Sequence, residues 1–154
     1  MKFLIINGPN LNLMHFTEPG VVGQIDYNAL LDYLELCCQQ MDIQVEFFQS
    51  NHEGDLVDEI QSAAGRADGI VINPGGYAHY SVAILDALRV CGVPAVEVML
   101  NEPDSHEPFR QTDVVSFGCQ GHFIGEGISG YLHACAYLAQ LLRIDGSGHT
   151  HLVM

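Results

Sequence analysis

Residues 3–13 read FLIINGPNLNL, an apolar run of strand length followed directly by a polar turn. Gly8 and Pro9 end the run because glycine and proline favour turn conformations that a continuing strand does not adopt. Asn10 and Asn12 then supply amide donors and acceptors that a simple connection would not need. The stretch therefore predicts a first strand whose carboxyl end delivers polar side chains to a binding site.

Five short apolar runs, rich in β-branched residues and bounded by turn formers, predict five strands. They are residues 3–6, 43–48, 69–72, 95–100 and 114–117. Amphipathic helical patterns lie within residues 30–41, 56–64, 82–88 and 128–142. Strands that alternate with helices favour a parallel sheet covered on both faces, because each parallel crossover needs about a dozen residues. We therefore expect an α/β fold of the flavodoxin type, a three-layer sandwich with a five-stranded parallel sheet.

The length and composition of the chain fit one domain. Its 154 residues, 48% of them hydrophobic, suffice for one core and are too few for two ordinary domains. We expect this domain at residues 1–144 and a disordered tail at residues 145–154, where no periodic apolar face continues. Residues 8–24 form a long connection for a strand–helix unit, which predicts a lid or binding segment.

The charge of the chain is strongly negative, with five Lys and Arg against 19 Asp and Glu and a formal net charge of −14. Such a charge repels nucleic acid and anionic membrane surfaces, so neither is an expected partner. No apolar run approaches the roughly 18 residues of a membrane helix, and no leader pattern precedes the first strand. A cytoplasmic location is therefore the expectation.

Three further patterns argue against a bound metal or cofactor. The five cysteines are odd in number and lie mostly in apolar patterns, which indicates reduced, buried thiols. His149 and His151 alone are too few ligands for a predicted metal site. Residues 125–130, GEGISG, match the dinucleotide pattern, but no strand follows them in the required context. We expect no cofactor.

Polar residues follow three of the predicted strands, where ligands bind in doubly wound sheets. Asn10 follows the first strand and Asn73 ends the third, while Asn101 and Arg110 lie in the connection after the fourth. His79 precedes the third predicted helix. Each segment alone also fits a simple tight turn, but their convergence favours a binding site.

Four blocks in fixed order resemble the type II 3-dehydroquinate dehydratase family. They are residues 7–13 (NGPNLNL), 47–54 (FFQSNHEG), 72–79 (INPGGYAH) and 93–98 (VPAVEV). The resemblance implies a hydro-lyase of the shikimate pathway that removes water from a cyclic hydroxy-keto acid through an enolate, without a cofactor. It also implies a homo-oligomer in which trimers assemble into a dodecamer.

The same resemblance implies roles for individual residues. Asn10 matches the position that helps to hold the water at the enolate, and Glu97 matches the partner of the general acid. Leu100 and Asn101 lie where backbone N–H groups hold the substrate carboxylate. The positions that bind ring hydroxyls are matched by Asn73, His79, Asp86 and Arg110. Asp86 would reach the site of a neighbouring subunit.

Three positions that carry chemistry in that family hold other residues here. Val22 stands at the position of the tyrosine base, Thr17 at that of the arginine that activates it, and Met99 at that of the histidine acid. A tyrosine that works as a base near neutrality needs a nearby cation, because its unperturbed pKa is about 10. Ordinary dehydration is therefore expected to be weak, absent or replaced by related chemistry.

Three side chains are possible substitutes for the missing groups: His15 in the first long connection, Tyr80 beside His79, and His106 after the fourth strand. Histidine is the better candidate because its unperturbed pKa is about 6.5. A surface or packing role is the alternative for all three. Two other hypotheses stay open for the chain: a non-catalytic binding or scaffold protein on the same fold, or an ordinary dehydratase whose sequence was altered at the site.

Overall fold

The computed structural model describes the backbone of residues 1–152 and the side chains of residues 1–145. Five strands are present: β1 Lys2–Asn7, β2 Gln44–Gln49, β3 Gly69–Asn73, β4 Ala95–Met99 and β5 His122–Ile124. Four α-helices connect or follow them: α1 Tyr27–Gln40, α2 Glu53–Ser62, α3 Val82–Cys91 and α4 Ser129–Leu152. Short 3-10 helices lie at Leu11–Leu13, Gly75–His79, Pro108–Arg110 and Val115–Gly118.

All strand pairs are parallel, and the strand order is β2-β1-β3-β4-β5. The chain moves outward from β1 to β2 and then returns to place β3 on the other side of β1, so the order reverses between β1 and β3. Ligands of doubly wound sheets bind outside the carboxyl ends of the strands at such a point. The predicted flavodoxin-like three-layer sandwich with a five-stranded parallel sheet is confirmed.

The core consists of two layers, one on each face of the sheet. Phe3 and Ile5 pack with α1 and α4, whereas Leu4 and Ile6 pack with α2 and α3. Successive side chains of a strand point to opposite faces, so a strand that is buried on both sides must be apolar throughout. This explains why the uninterrupted run at residues 3–6 forms a central strand.

The predicted fifth strand at residues 114–117 is wrong. Asp113 Oδ1 accepts a hydrogen bond from the backbone N–H of Ser116 at 3.1 Å, and Ser116 Oγ donates to the Asp113 carbonyl at 2.6 Å. Such local side-chain bonds compete with strand pairing and start the 3-10 helix Val115–Gly118. The fifth strand is instead β5, which pairs with β4 from Glu97↔His122 to Met99↔Ile124.

Helix α4 continues to Leu152, so its backbone runs through most of the segment 145–154 for which the sequence predicts disorder. The side chains of residues 146–154, His149 and His151 included, lie outside the described residues, and the tail stays a prediction. None of the helices within residues 1–152 has the length and hydropathy that crossing a bilayer requires.

We expect Gly8→Ala to destabilise the fold, because Gly8 lies where the loops after β1 and β3 meet. Its N–H donates to the Asn73 carbonyl at 2.7 Å, and an added Cβ would lie 2.6 Å from the carbonyl carbon of Pro74. Relief of this overlap requires backbone movement, so urea denaturation should show a loss of about 1–3 kcal/mol in unfolding free energy.

The control for this variant is Gly54→Ala in the first turn of α2, where an added Cβ meets no atom within 4 Å. Alanine there should stabilise the protein by about 0.5–1 kcal/mol, since glycine is the poorer helix former. Equal unfolding curves for wild type and Gly8→Ala would contradict the packing argument.

Candidate active site

A cavity of about 420 Å³ opens at the carboxyl ends of β1, β3 and β4, within the size range of small-molecule sites. Seven of the residues singled out from the sequence line it together: Asn10, Asn73, His79, Met99, Leu100, Asn101 and Arg110. A second cavity of about 520 Å³ shares Asn10, His79 and Arg110 with it and is otherwise lined partly by Tyr77, Tyr80 and Phe109.

The loop that carries Asn10 is held by side chains from the end of β2. Asn10 has a left-handed backbone with φ of 71°, which asparagine tolerates better than most residues. Its N–H donates to Asn51 Oδ1 at 2.9 Å, and Gln49 Nε2 donates to the Gly8 carbonyl at 3.1 Å. Asn12 also accepts from Gln49 Nε2, at 3.4 Å, and does not line the cavity. The first polar loop is therefore anchored before any ligand arrives.

A chain of hydrogen bonds beneath the cavity joins four elements, β1, β3, α1 and α4. The Tyr131 hydroxyl of α4 donates to Asn7 Oδ1 at 2.6 Å and accepts from Asn73 Nδ2 at 3.0 Å. Asn7 Nδ2 in turn donates to the Tyr27 hydroxyl at 3.2 Å. Burial raises the pKa of Tyr131, which keeps its phenol protonated and able to donate. Neither Asn7 nor Tyr131 was singled out from the sequence.

Part of the hydrogen-bonding capacity of the Asn73 side chain is used within the protein. Its Oδ1 accepts from the N–H of Gly75 at 3.2 Å while its Nδ2 donates to Tyr131. An amide has two N–H groups and two lone pairs on its oxygen, so one of each remains for a ligand. The residue is 4% exposed, which leaves only a small polar surface at the cavity wall.

His79 lines the cavity with its tautomer set by the backbone. Its Nδ1 lies 2.9 Å from the Thr112 carbonyl oxygen, which can only accept, so Nδ1 carries the proton. In the neutral ring, Nε2 is then an acceptor for a ligand hydroxyl. The sequence indicated the position of His79, but its backbone partner lies 33 residues away.

The cavity wall is more negative than positive. Arg110 Nε donates to Glu107 Oε2 at 2.8 Å, and its guanidinium carbon lies 5.5 Å from the Phe109 ring centroid. Glu102, Asp104 and Glu107 line the same cavity, so three carboxylates face one guanidinium. This charge opposes an anionic ligand, although solvent exposure and salt screen it.

The three residues predicted to replace the family's base, activating arginine and acid differ in their relation to the cavity. Met99 lines it, whereas Thr17 and Val22 are exposed and do not. The Val22 side chain is fully exposed. Phe16 and Ile25 close the base of this connection through two backbone hydrogen bonds of 2.8 Å. A lid role for the segment between them stays a prediction.

The proposed substitutes are not brought together. His15 is exposed and lines neither of the two cavities. His106 is also outside both, with Nδ1 3.0 Å from Asp104 Oδ1 and a side chain that is 92% exposed. Of the three, only Tyr80 lines a cavity, the larger one. Asp86 is exposed on α3 and lines neither cavity of the single chain.

Glu97 is fully buried and does not line the cavity. Burial, and in second place the neighbouring Asp113 carboxyl, raise the pKa of Glu97 to about 10. Glu97 is therefore protonated at neutral pH. Asp113 was not singled out from the sequence, where it precedes a run mistaken for a strand.

Within the described residues, no group of three or more His, Cys, Asp or Glu side chains is placed to hold a metal ion. All five cysteines are free thiols. Cys38 of α1 and Cys135 of α4 lie in van der Waals contact, with their sulfurs 3.9 Å apart.

Comparisons with known proteins agree on one family. The sequence model described as dehydroquinase class II matches residues 1–139. A 3-dehydroquinate dehydratase of Lachnospira eligens is 42% identical over 143 residues, which cover 92% of this chain and 97% of that protein. The crystal structure of a type II dehydroquinase from Butyrivibrio crossotus has a TM-score of 0.82 and 42% identity, covering 90% of this chain and 97% of that one.

A more distant solved structure is the 3-dehydroquinate dehydratase-like protein of Bifidobacterium longum. It is 25% identical, with a TM-score of 0.70, and the match covers 92% of this chain and 98% of that one. The likeness to the family thus extends over nearly the whole length of each relative.

Tyr131→Phe should destabilise the protein, because it removes the hydroxyl that both Asn7 and Asn73 bind in the core. A buried polar group without its partner costs about 1–3 kcal/mol, and the loss should appear in urea denaturation. Tyr137→Phe is the matched control, since its hydroxyl bonds to Gln120 at an exposed site where water can replace it. Equal losses for the two variants would refute the role of the network.

Proposed function

Because the chain belongs to the class II dehydroquinase family, we propose that it is a divergent homologue of 3-dehydroquinate dehydratase with a cavity for a dehydroquinate-like cyclic hydroxy acid. Its ordinary dehydration is weak, absent or replaced by related chemistry. One observation carries the proposal: Asn10, His79 and Arg110 converge on one cavity that Met99 lines where the family resemblance leads us to expect the general acid.

The missing acid and base account for the proposed loss of rate. A thioether has no proton to give to a leaving hydroxyl, and Val22 offers neither a phenol nor any other acceptor. Each positioned acid or base typically contributes about a hundred- to ten-thousand-fold to the rate. Such losses are not additive, so preorganised binding can leave a remnant of activity.

The binding role is supported by the polar groups that remain available. His79 Nε2 can accept from a ring hydroxyl, and Asn10 and Arg110 line the same wall. For the ring carboxylate we propose the backbone N–H groups near Leu100 and Asn101. The acidic side chains around Arg110 weaken this interaction, so the affinity for an acid should be modest.

We extend the proposal to a homo-oligomer, with trimers that assemble into a dodecamer. Asp86 is exposed on α3, as a residue that contributes to a neighbouring subunit's site must be. Large exposed apolar side chains support an interface: Tyr80, Val82, Val90, Phe109 and Phe117. The absence of nucleic-acid and membrane partners stays a prediction that rests on the net charge of −14. A cytoplasmic location stays a prediction that rests on the sequence patterns described above.

A non-catalytic binding or scaffold protein on the same fold is the second candidate. Two observations favour it: the Asn73 side chain is already hydrogen-bonded to Gly75 and Tyr131, and carboxylates surround Arg110 in the cavity wall. Both leave fewer groups for an acidic ligand. A scaffold of this kind would not bind a hydroxylated ring in the cavity. Ligand binding therefore distinguishes the two candidates.

Turnover of 3-dehydroquinate by the purified protein should be at least about a hundred-fold slower than that of the Lachnospira eligens enzyme measured alongside it. The physical reason is the lack of a base and an acid, and the ultraviolet absorbance of the enone product provides the assay. An ordinary rate would overturn the proposal and show that other groups supply both functions.

Thr17→Arg, Val22→Tyr and Met99→His introduced together should raise this turnover, because they restore the activated base and the acid. The matched control keeps Thr17 and changes only Val22 and Met99. Its tyrosine would titrate near pH 10 without an adjacent cation, so its rate at neutral pH should stay lower.

Calorimetric titration with quinate, shikimate and 3-dehydroquinate should detect binding of at least one of them. His79→Ala should weaken it by about tenfold, the equivalent of one hydrogen bond. Because carboxylates surround Arg110, added salt should tighten the binding of these acids by screening repulsion. No heat with any of the three would favour the scaffold candidate.

A further inference from the structure

Two carboxyl groups, those of Glu97 on β4 and Asp113 before the 3-10 helix Val115–Gly118, lie next to each other in the interior. Both oxygens of Glu97 and Oδ2 of Asp113 are buried, and no N–H or O–H group of another described residue donates to them. Two ionised carboxylates can only accept, so their contact would be repulsive. One proton between them converts the repulsion into a hydrogen bond.

The surroundings of the pair supply no compensating cation. Cys119 is a further titratable group beside the pair, and burial together with the two carboxyls raises the pKa of its thiol, so it is uncharged. Ile72 is the neighbour of Glu97 on β3, and His122, its neighbour on β5, has an exposed side chain. No ion pair within residues 1–145 includes Glu97 or Asp113. A proton is therefore the means of neutralising the pair.

The segment around Asp113 is also the one that orients His79. The carbonyl of Thr112 accepts from His79 Nδ1 at 2.9 Å, and the N–H of Val114 donates to the Ala78 carbonyl at 2.8 Å. Asp113 lies between these two contacts. Holding its carboxyl against Glu97 thus fixes the carbonyl that sets the tautomer and direction of the His79 ring.

We propose that Glu97 and Asp113 share one proton and form a positioning pair that orients the His79 imidazole in the cavity. Glu97 does not line the cavity, so the pair acts on a ligand only through His79. The value of this orientation for ligand binding rests on the proposed function, whereas the proton and the fixed ring are properties of the free protein.

The pair links folding to pH with a defined sign. In the unfolded chain both carboxyls lose their protons at pKa values of about 4, whereas burial raises the pKa of Glu97 in the fold to about 10. The shared proton therefore makes its full contribution to the free energy of unfolding below about pH 4. This contribution is lost progressively as the pH rises towards 10. Over this window the folded state holds one proton more than the unfolded state.

The first test compares wild type with Glu97→Gln by urea denaturation between about pH 6 and 9, where the folded state holds the extra proton. In wild type, the unfolding equilibrium constant should rise about tenfold for each unit by which the pH increases, because of the pair. Glutamine donates an N–H to Asp113 without a titrating proton, so the variant should fold and lose this pH dependence. Asp58→Asn, an exposed carboxylate on α2, is the control and should keep it.

The second test records the nuclear magnetic resonance signals of the His79 ring in the ligand-free protein, assigned with His79→Gln. Wild type and Glu97→Gln should both show one tautomer with the proton on Nδ1. Asp113→Ala should show a mixture of tautomers and weaken quinate binding by about tenfold, the equivalent of one hydrogen bond.

Either of two results would overturn the proposal: a pH dependence in Glu97→Gln equal to that of wild type, or an unchanged His79 signal in folded Asp113→Ala. If Asp113→Ala does not fold, the stability comparison with Glu97→Gln decides alone. Failure of wild type to bind any ring acid would refute the proposed function, while both ligand-free readouts would still support or refute the pair.

Discussion

The hydroxyl of Tyr131 is the interaction on which the geometry of the site depends. It joins Asn7 at the end of β1 and Asn73 at the end of β3 to a helix that packs on the same face of the sheet. Both loops of the switch point leave from these two asparagines. Burial makes an unpaired polar group costly in free energy. Other arrangements of these side chains would leave such a group unpaired, so the network favours a single arrangement.

The cavity built on this network combines retained and altered chemistry. Its tautomerically fixed imidazole and neighbouring amides can form hydrogen bonds with the hydroxyl groups of a ligand. Its acidic wall and the thioether of Met99 are less suited to an acid that must lose water. This combination underlies our proposal that the cavity holds a hydroxylated ring acid and that ordinary dehydration is weak, absent or altered.

Glu97 illustrates how the role of a buried carboxyl depends on its neighbour. Beside an imidazole, a buried carboxylate can stay ionised and accept a hydrogen bond, because the ring provides a proton. Beside Asp113, the same carboxyl is neutral, since two adjacent negative charges in a buried site cannot both persist. The pair stabilises the turn that reaches His79 rather than presenting a charge to the cavity.

The sequence by itself determined the parallel sheet, its apolar central strand and the polar loops that carry Asn10, Asn73 and His79. These features depend on strand periodicity and turn chemistry, which act over a few residues. It misplaced the fifth strand, since the hydrogen bonds between Asp113 and Ser116 outweigh the apolar pattern of residues 114–117.

Only the tertiary structure decided that Tyr131 contacts Asn7, 124 residues away, and that Asp113 contacts Glu97. It also separated His15 and His106 from the cavities. The physical reason is that a hydrogen bond or a shared proton depends on distances of a few ångströms, and these arise when sheet and helices pack, not from the local pattern of either segment.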